Sequence, residues 1–195
     1  ADVRAWRERQ ALKAVHLLGH SMGGKVAMQL ACGHPEGIRS LTVVDIAPRA
    51  YPPRWEREFD AMRRMPVERF ASRQEAERWL EEDIRDWAFR KFLVSHLERR
   101  EAGGFCWIVN LAILEASLTH LFEQVPKPGE RFDKPVLFLR GGRSRFVEEA
   151  DLGMAGRFFP DCRLETVPEA GHNVHFDAPE AFSQHVEAHL KAAEA

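Results

Sequence analysis

Ser21, Asp45 and His172 are the residues of this 195-residue sequence whose types and order suit acyl transfer. Ser21 sits in "GHSMGG", with Gly19 and Gly23 two positions to either side. That spacing fits a tight strand-to-helix turn in which glycines let the backbone close up and the serine hydroxyl is pushed outward. A hydroxyl is a weak nucleophile until a neighbouring base takes its proton. His172, in the loop "VPEAGHNVHFDAPEAF" near the end of the chain, is the expected base. Such an imidazole needs a carboxylate to orient it and to stabilise its cation. Asp45, which closes "LTVVD" on the strand after the serine, is preferred for that role, with Asp151 beside Glu148 and Glu149 as the alternative. The Met22 backbone N–H is the expected donor to a tetrahedral oxyanion. His20 is expected to line the substrate site and His175 to support the loop.

These residues need rigid elements behind them. "AVHLLGH" reads as a buried strand, residues 23–32 as a helix with Val26, Ala27, Leu30 and Ala31 on one face, and "IRSLTVVDIAP" as a second buried strand. Ahead of them "ADVRAWRERQALKA" reads as a short amphipathic helix, with Val3 and Trp6 on its apolar face. Helix and strand in alternation imply an α/β class, a parallel sheet joined by crossover helices. Residues 49–132 interrupt it with Arg, Glu, Trp and Phe in helical periods and no strand, so they form a helical cap insertion. "EAERWLEEDIRDWAFRKFLVSHLERR" is the longest helical stretch there. The rhythm then resumes: "VLFLRGG" as strand, "VEEADLGMAGRFF" as helix, "CRLETV" as strand and "APEAFSQHVEAHLKAA" as helix. Residues 1–48 and 133–195 therefore form the core unit. Trp107 is the candidate substrate contact in the insertion; Trp79, Trp87, Phe89 and Phe92 either join it or pack the insertion's helices.

Composition narrows the partners. Twenty-eight basic and 30 acidic residues leave a net charge of -2, with no positive excess to hold nucleic acid or anionic lipid. No apolar run approaches the ~18 residues of a membrane span. Cys32, Cys106 and Cys162 are widely spaced, which argues for unpaired thiols and against a disulfide framework. No cofactor and no metal site is expected, since a strand-to-turn context does not bring His16 and His20 to one helix face.

The segments "GHSMGGKVAM", "VVDIAP", "GGFCWIVNL", "LFLRGGRSRFV" and "VPEAGHNVHFDAPEAF" together resemble the α/β-hydrolase-fold serine esterases, and within them the group of α/β-hydrolase domain-containing protein 11 and its small bacterial acyl-esterase relatives. The order Ser, Asp, His along the chain agrees with that family. The resemblance implies a serine hydrolase of short or medium acyl esters, or of acylglycerol-like lipids, acting beneath a helical cap without a cofactor. The full-length protein is expected to be a monomer with a small-molecule ester substrate, located in the cytoplasm; for eukaryotic members the resemblance implies a mitochondrial location. Family members carry strands and a His-Gly loop with the second oxyanion donor ahead of the region corresponding to residue 1. The chain is thus expected to be the C-terminal portion of such a fold, poorly active and aggregation-prone when isolated. Where many members place the acid, this sequence has Gly142, Arg143 and Ser144; where some carry a cap aspartate it has Ala112, and Asn173 replaces a common tryptophan. Alternative readings are a non-catalytic binding protein, or an acyltransferase or carbon–carbon bond hydrolase with the same three residues.

Overall fold

The computed structural model describes residues 2–52 and 55–194, which form two compact units, residues 1–51 with 123–195 and residues 52–122. The first opens with α1 (Asp2–Arg9), β1 (Val15–His20), α2 (Met22–Gly33) and β2 (Ile38–Val44). The second runs α3 (Glu56–Arg64), α4 (Arg73–Trp79), α5 (Trp87–Ser95), β3 (Leu97–Arg99), β4 (Phe105–Trp107), α6 (Leu111–Ala116) and α7 (Leu118–Phe122). The chain then returns to the first unit through β5 (Val136–Gly141), α8 (Asp151–Phe158), β6 (Cys162–Val167), α9 (Val174–Asp177) and α10 (Pro179–Ala192).

Strands β1, β2, β5 and β6 lie in that order and pair in parallel throughout. The two central strands read as near-continuous apolar runs because both of their faces are covered. Val44, Leu137, Leu139, Val167 and Val174 are buried together, with Phe182 and Val186 of α10 against them. Helix α1 departs from its amphipathic reading. It buries no residue, and Val3 and Trp6 stay exposed, because its arginines make the attachment: Arg4 bonds to His34 and Arg7 to the Glu36 carbonyl.

Residues 49–51 and 123–132, assigned to the insertion by sequence, belong to the first unit. Hydrogen bonds explain why. The Val125 N–H donates to the Pro48 carbonyl at 3.0 Å, and the buried Lys25 of α2 donates to the carbonyls of both Arg49 and Glu123. Burial and the neighbouring Arg49 cation hold the Lys25 ammonium down to about 8. One side chain therefore ties the outgoing chain to the returning one.

The second unit packs Met62, Met65, Phe70, Leu80, Leu93 and Phe105 at its centre. It contains a hairpin that the sequence reading did not expect: β3 and β4 pair antiparallel, turned by Gly103 and Gly104 at φ 90° and 71°. The long helix expected across residues 75–100 is instead broken between α4 and α5. Asp86 caps the second piece through the Phe89 N–H, and Arg90 takes the Ile84 and Arg85 carbonyls that the break releases. Among the described residues no helix is long and apolar enough to cross a membrane.

Candidate active site

Ser21 leaves β1 at φ 53° and ψ -122°, a left-handed backbone that an L-residue adopts only where its surroundings enforce it. The enforcement is visible on both sides. The Ser21 N–H donates to the Val44 carbonyl at 3.0 Å, and its own carbonyl accepts from Gly24 at 2.9 Å, starting α2. A Cβ on Gly19 would lie 2.2 Å from the Gly23 carbonyl oxygen, so only glycine permits the turn to close there. Gly23 itself has open space where a Cβ would stand. The second glycine of the motif is thus required for less than its spacing suggests.

Asp45 leaves the neighbouring β2 in the same way, at φ 49°, with its N–H on the Leu139 carbonyl at 2.9 Å. Adjacent parallel strands that turn off at matching heights bring the two side chains to one end of the sheet. His172 arrives from the loop after β6, where the Arg143 N–H donates to the Ala170 carbonyl and Asp177 accepts from the Gly171 N–H at 2.7 Å. Its Nε2 lies 2.9 Å from Ser21 Oγ and its Nδ1 2.7 Å from Asp45 Oδ2. An ionised carboxylate only accepts, so Nδ1 carries the proton and donates to it, leaving Nε2 free to accept from the serine hydroxyl.

Asp45 is fully buried, and its oxygens are satisfied by the Gly141 N–H at 3.1 Å, the Ser144 hydroxyl and His172. Asp151, the alternative acid, is engaged elsewhere: it pairs with Arg49 at 3.0 Å and accepts from the Glu148 N–H. Met22 is the first residue of α2, so its N–H belongs to the group that a helix leaves without an intrahelical acceptor.

A family model described as the α/β hydrolase family matches residues 1–185. The chain belongs to that family. Its four-stranded parallel sheet is part of the α/β-hydrolase fold. The chain is 36% identical to the mouse protein named sn-1-specific diacylglycerol lipase ABHD11 over 181 residues, covering 89% of this chain and 58% of that protein. It is 28% identical to Esterase YbfF of Escherichia coli K12 over 186 residues, 94% of this chain and 70% of the relative. Among solved structures, a marine microorganism esterase superposes with a TM-score of 0.91 at 30% identity, covering 96% of this chain and 74% of that one. The chain thus spans between half and three quarters of the length of these α/β hydrolases.

The remaining sequence candidates separate. His20 donates through Nε2 to the His172 carbonyl at 2.8 Å, and its ring lies 4.7 Å from that of His172 and 4.9 Å from that of His175. Burial, against the His172 carbonyl bond, holds the His20 imidazole below its ordinary range. His20 thus braces the backbone of the candidate base. Trp107, on β4, packs with Trp79 and Phe89 against the apolar centre of the second unit, whereas Trp87 and Phe92 are exposed. His16 bonds to Ser40 and Glu194. Among the described residues no group of three or more His, Cys, Asp or Glu is arranged to hold a metal ion. The three cysteines are free, and burial pushes the Cys32 thiol up to about 12.

Sequence reasoning passed over Phe146, whose ring lies 4.2 Å from the His172 ring. It also treated Ser144 only as the absence of a carboxylate. That very position, next to the expected acid site, was the available signal.

Proposed function

We propose that the protein hydrolyses carboxylic esters of small molecules, with short or medium acyl chains or glycerol esters as the substrate class, through an acyl-enzyme on Ser21. The observation that carries this reading is the continuous relay from Asp45 through His172 to Ser21, at 2.7 and 2.9 Å. The names of the mouse and E. coli relatives favour the same reaction class.

Ser21 Oγ attacks the ester carbonyl carbon while its proton passes to His172 Nε2. The carbonyl oxygen becomes an oxyanion facing the Met22 N–H at the start of α2, where the helix end adds a favourable field. Asp45 holds the imidazolium in place and stabilises its charge. The tetrahedral adduct collapses, the alkoxide leaves with the proton from His172, and Ser21 carries the acyl group. Water then attacks that ester with His172 again as base, releasing the acid and restoring the hydroxyl. His20 and Trp107 are proposed as substrate contacts, and a monomer as the working state.

A fluorophosphonate probe should label wild-type protein and leave Ser21→Ala unlabelled, and the same pair should differ on p-nitrophenyl esters of increasing chain length. Labelling that persists in Ser21→Ala rejects the nucleophile. A Trp107→Ala variant with an unaltered chain-length profile rejects that substrate contact.

A further inference from the structure

The loop between β5 and α8 lays an aromatic ring against the candidate base. The Phe146 ring stands 4.2 Å from the His172 ring, with the two planes 31° apart, a tilted stack in which the imidazole meets the negative face of the ring. The main chain behind that ring is held on both sides. The Phe146 N–H donates to Ser144 Oγ at 3.2 Å, and the Phe146 carbonyl accepts from the Tyr51 hydroxyl. A carbonyl only accepts, so the phenol proton lies on that bond, while the phenol oxygen takes the Ala47 N–H at 2.8 Å. Burial, against the Ala47 bond and the Arg49 cation, pushes the Tyr51 hydroxyl up to about 12, so this donor keeps its proton across the neutral range.

Tyr51 is itself fixed. The Arg49 and Lys25 cations lie 4.2 and 5.1 Å from its ring, and Arg49 is held by Asp151. One buried phenol therefore ties the chain two residues beyond Asp45 to the residue that faces His172.

A neutral imidazole and an imidazolium gain differently from an aromatic face. The ring quadrupole attracts a cation within about 6 Å of its centre, whereas a neutral ring gains chiefly dispersion. In the proposed reaction His172 becomes a cation as Ser21 attacks, and an interaction that is stronger at that moment than before it raises kcat. The other groups about the imidazole are Asp45 at Nδ1, the Ser21 hydroxyl at Nε2 and the His20 ring at 4.7 Å, with His175 of α9 behind His20 at 4.9 Å. Among these Asp45 supplies the negative charge, and Phe146 adds a second feature that favours the cation.

We propose that Phe146 is a positioning residue whose ring face supports His172 as an imidazolium, and that Tyr51 holds that face in place. The proposal rests on the reading of Ser21, His172 and Asp45 as one catalytic relay. Phe146 acts through the base; an aliphatic residue of similar size would fill its place without distinguishing the two charge states.

Phe146→Leu separates packing from the aromatic face. On a p-nitrophenyl ester it should lower kcat about 3- to 30-fold with KM within about twofold, and move the acid limb of kcat to lower pH. Phe146→Tyr, which keeps the face, should leave both near wild type. Tyr51→Phe should lower kcat about threefold or more in wild type and not at all in Phe146→Leu, yet lower the melting temperature in both, because the Ala47 N–H loses its acceptor either way. An unchanged kcat and acid limb in Phe146→Leu, or equal kcat losses from Tyr51→Phe in the two backgrounds, overturns the proposal. A raised KM at unchanged kcat in Phe146→Leu also overturns it, and makes Phe146 a substrate contact instead. The ring-proton resonances of His172 need no substrate: their titration should move to lower pH in Phe146→Leu and stay in Phe146→Tyr. An unmoved titration in Phe146→Leu overturns the supporting role. A titration that moves as stated in a protein that cleaves no ester supports it and rejects the esterase reading alone.

Discussion

Asp45 at the end of β2 and Glu77 in α4 are both buried carboxylates, one in each unit, and they are neutralised by different means. Asp45 meets a backbone N–H, a hydroxyl and an imidazole. Glu77 meets the equally buried guanidinium of Arg90, with Lys91 at 3.9 Å. A guanidinium keeps its proton at any physiological pH, so the Glu77 pair is static and serves architecture. Asp45 instead faces an imidazole whose other nitrogen lies 2.9 Å from Ser21 Oγ, the arrangement that the proposed reaction would use to take up and return the serine proton. Burial strengthens both interactions by excluding water, but only the Asp45 pair is joined to a candidate nucleophile.

The difference is open to test. In the α/β unit the largest effects fall on rate: Ser21→Ala should reduce kcat on the order of 10⁵-fold, and Asp45→Asn about 10⁴-fold, measured on a p-nitrophenyl ester. In the helical unit they fall on stability. Arg90→Ala should cost about 3–5 kcal/mol in urea unfolding by stranding the Glu77 charge, with kcat of the folded fraction within about twofold. Replacing the pair together, Glu77→Leu with Arg90→Met, should return only part of that loss, since the Ile84 and Arg85 carbonyls still lack their donor. A tenfold fall in kcat for Arg90→Ala at full folding would erase the distinction between the two carboxylates.

A smaller contrast lies within the serine turn. Gly19→Ala forces a Cβ against the Gly23 carbonyl and should destabilise by about 1–3 kcal/mol or more. Gly23→Ala, in open space inside α2, should be tolerated or gain about 0.5–1 kcal/mol of helix stability. Equal melting temperatures for the two variants would contradict the geometry of the turn.

The mildest effect concerns pH. His189 of α10 is fully buried, donates through Nε2 to the Leu41 carbonyl and leaves Nδ1 without a partner. Burial, with Arg163 and His16 nearby and Asp161 opposing them, holds its imidazole below the ordinary 6.5. The unfolded chain therefore takes up the proton first as the pH falls. Stability from this group is full above about 6.5 and declines below it. His189→Leu should flatten that decline in melting curves taken between pH 7.5 and pH 5 buffers, roughly spanning the imidazole range; an identical decline would assign it to other groups, His20 among them.

Much of the first unit was legible because its signals are local. A parallel strand covered on both faces must be apolar, so "LTVVD" and "VLFLRGG" stand out, and glycine beside Ser21 marks a turn that other residues would obstruct. The second unit was less legible. Its charged helical periods continue through residues 80–86, and nothing in the period reveals that Asp86 will cap a new helix or that Arg90 will take the released carbonyls. The hairpin of β3 and β4 is equally hidden, being three residues to a strand.

What the sequence determined by itself was the set of candidates: a serine in a glycine-flanked turn, a histidine in a late loop, an aspartate at a strand end, and the alternation of strands and helices that carries them. These are properties of residue type and near neighbours along the chain. Tertiary structure decided which carboxylate reaches His172: after folding Asp45 faces the imidazole and Asp151 an arginine. It also decided that Ser144, ninety-nine residues from Asp45, donates to the same oxygen as His172. Hydrogen bonds act over about 3 Å of space and not along the chain, so pairs so far apart in sequence acquire their meaning only when the sheet brings them together.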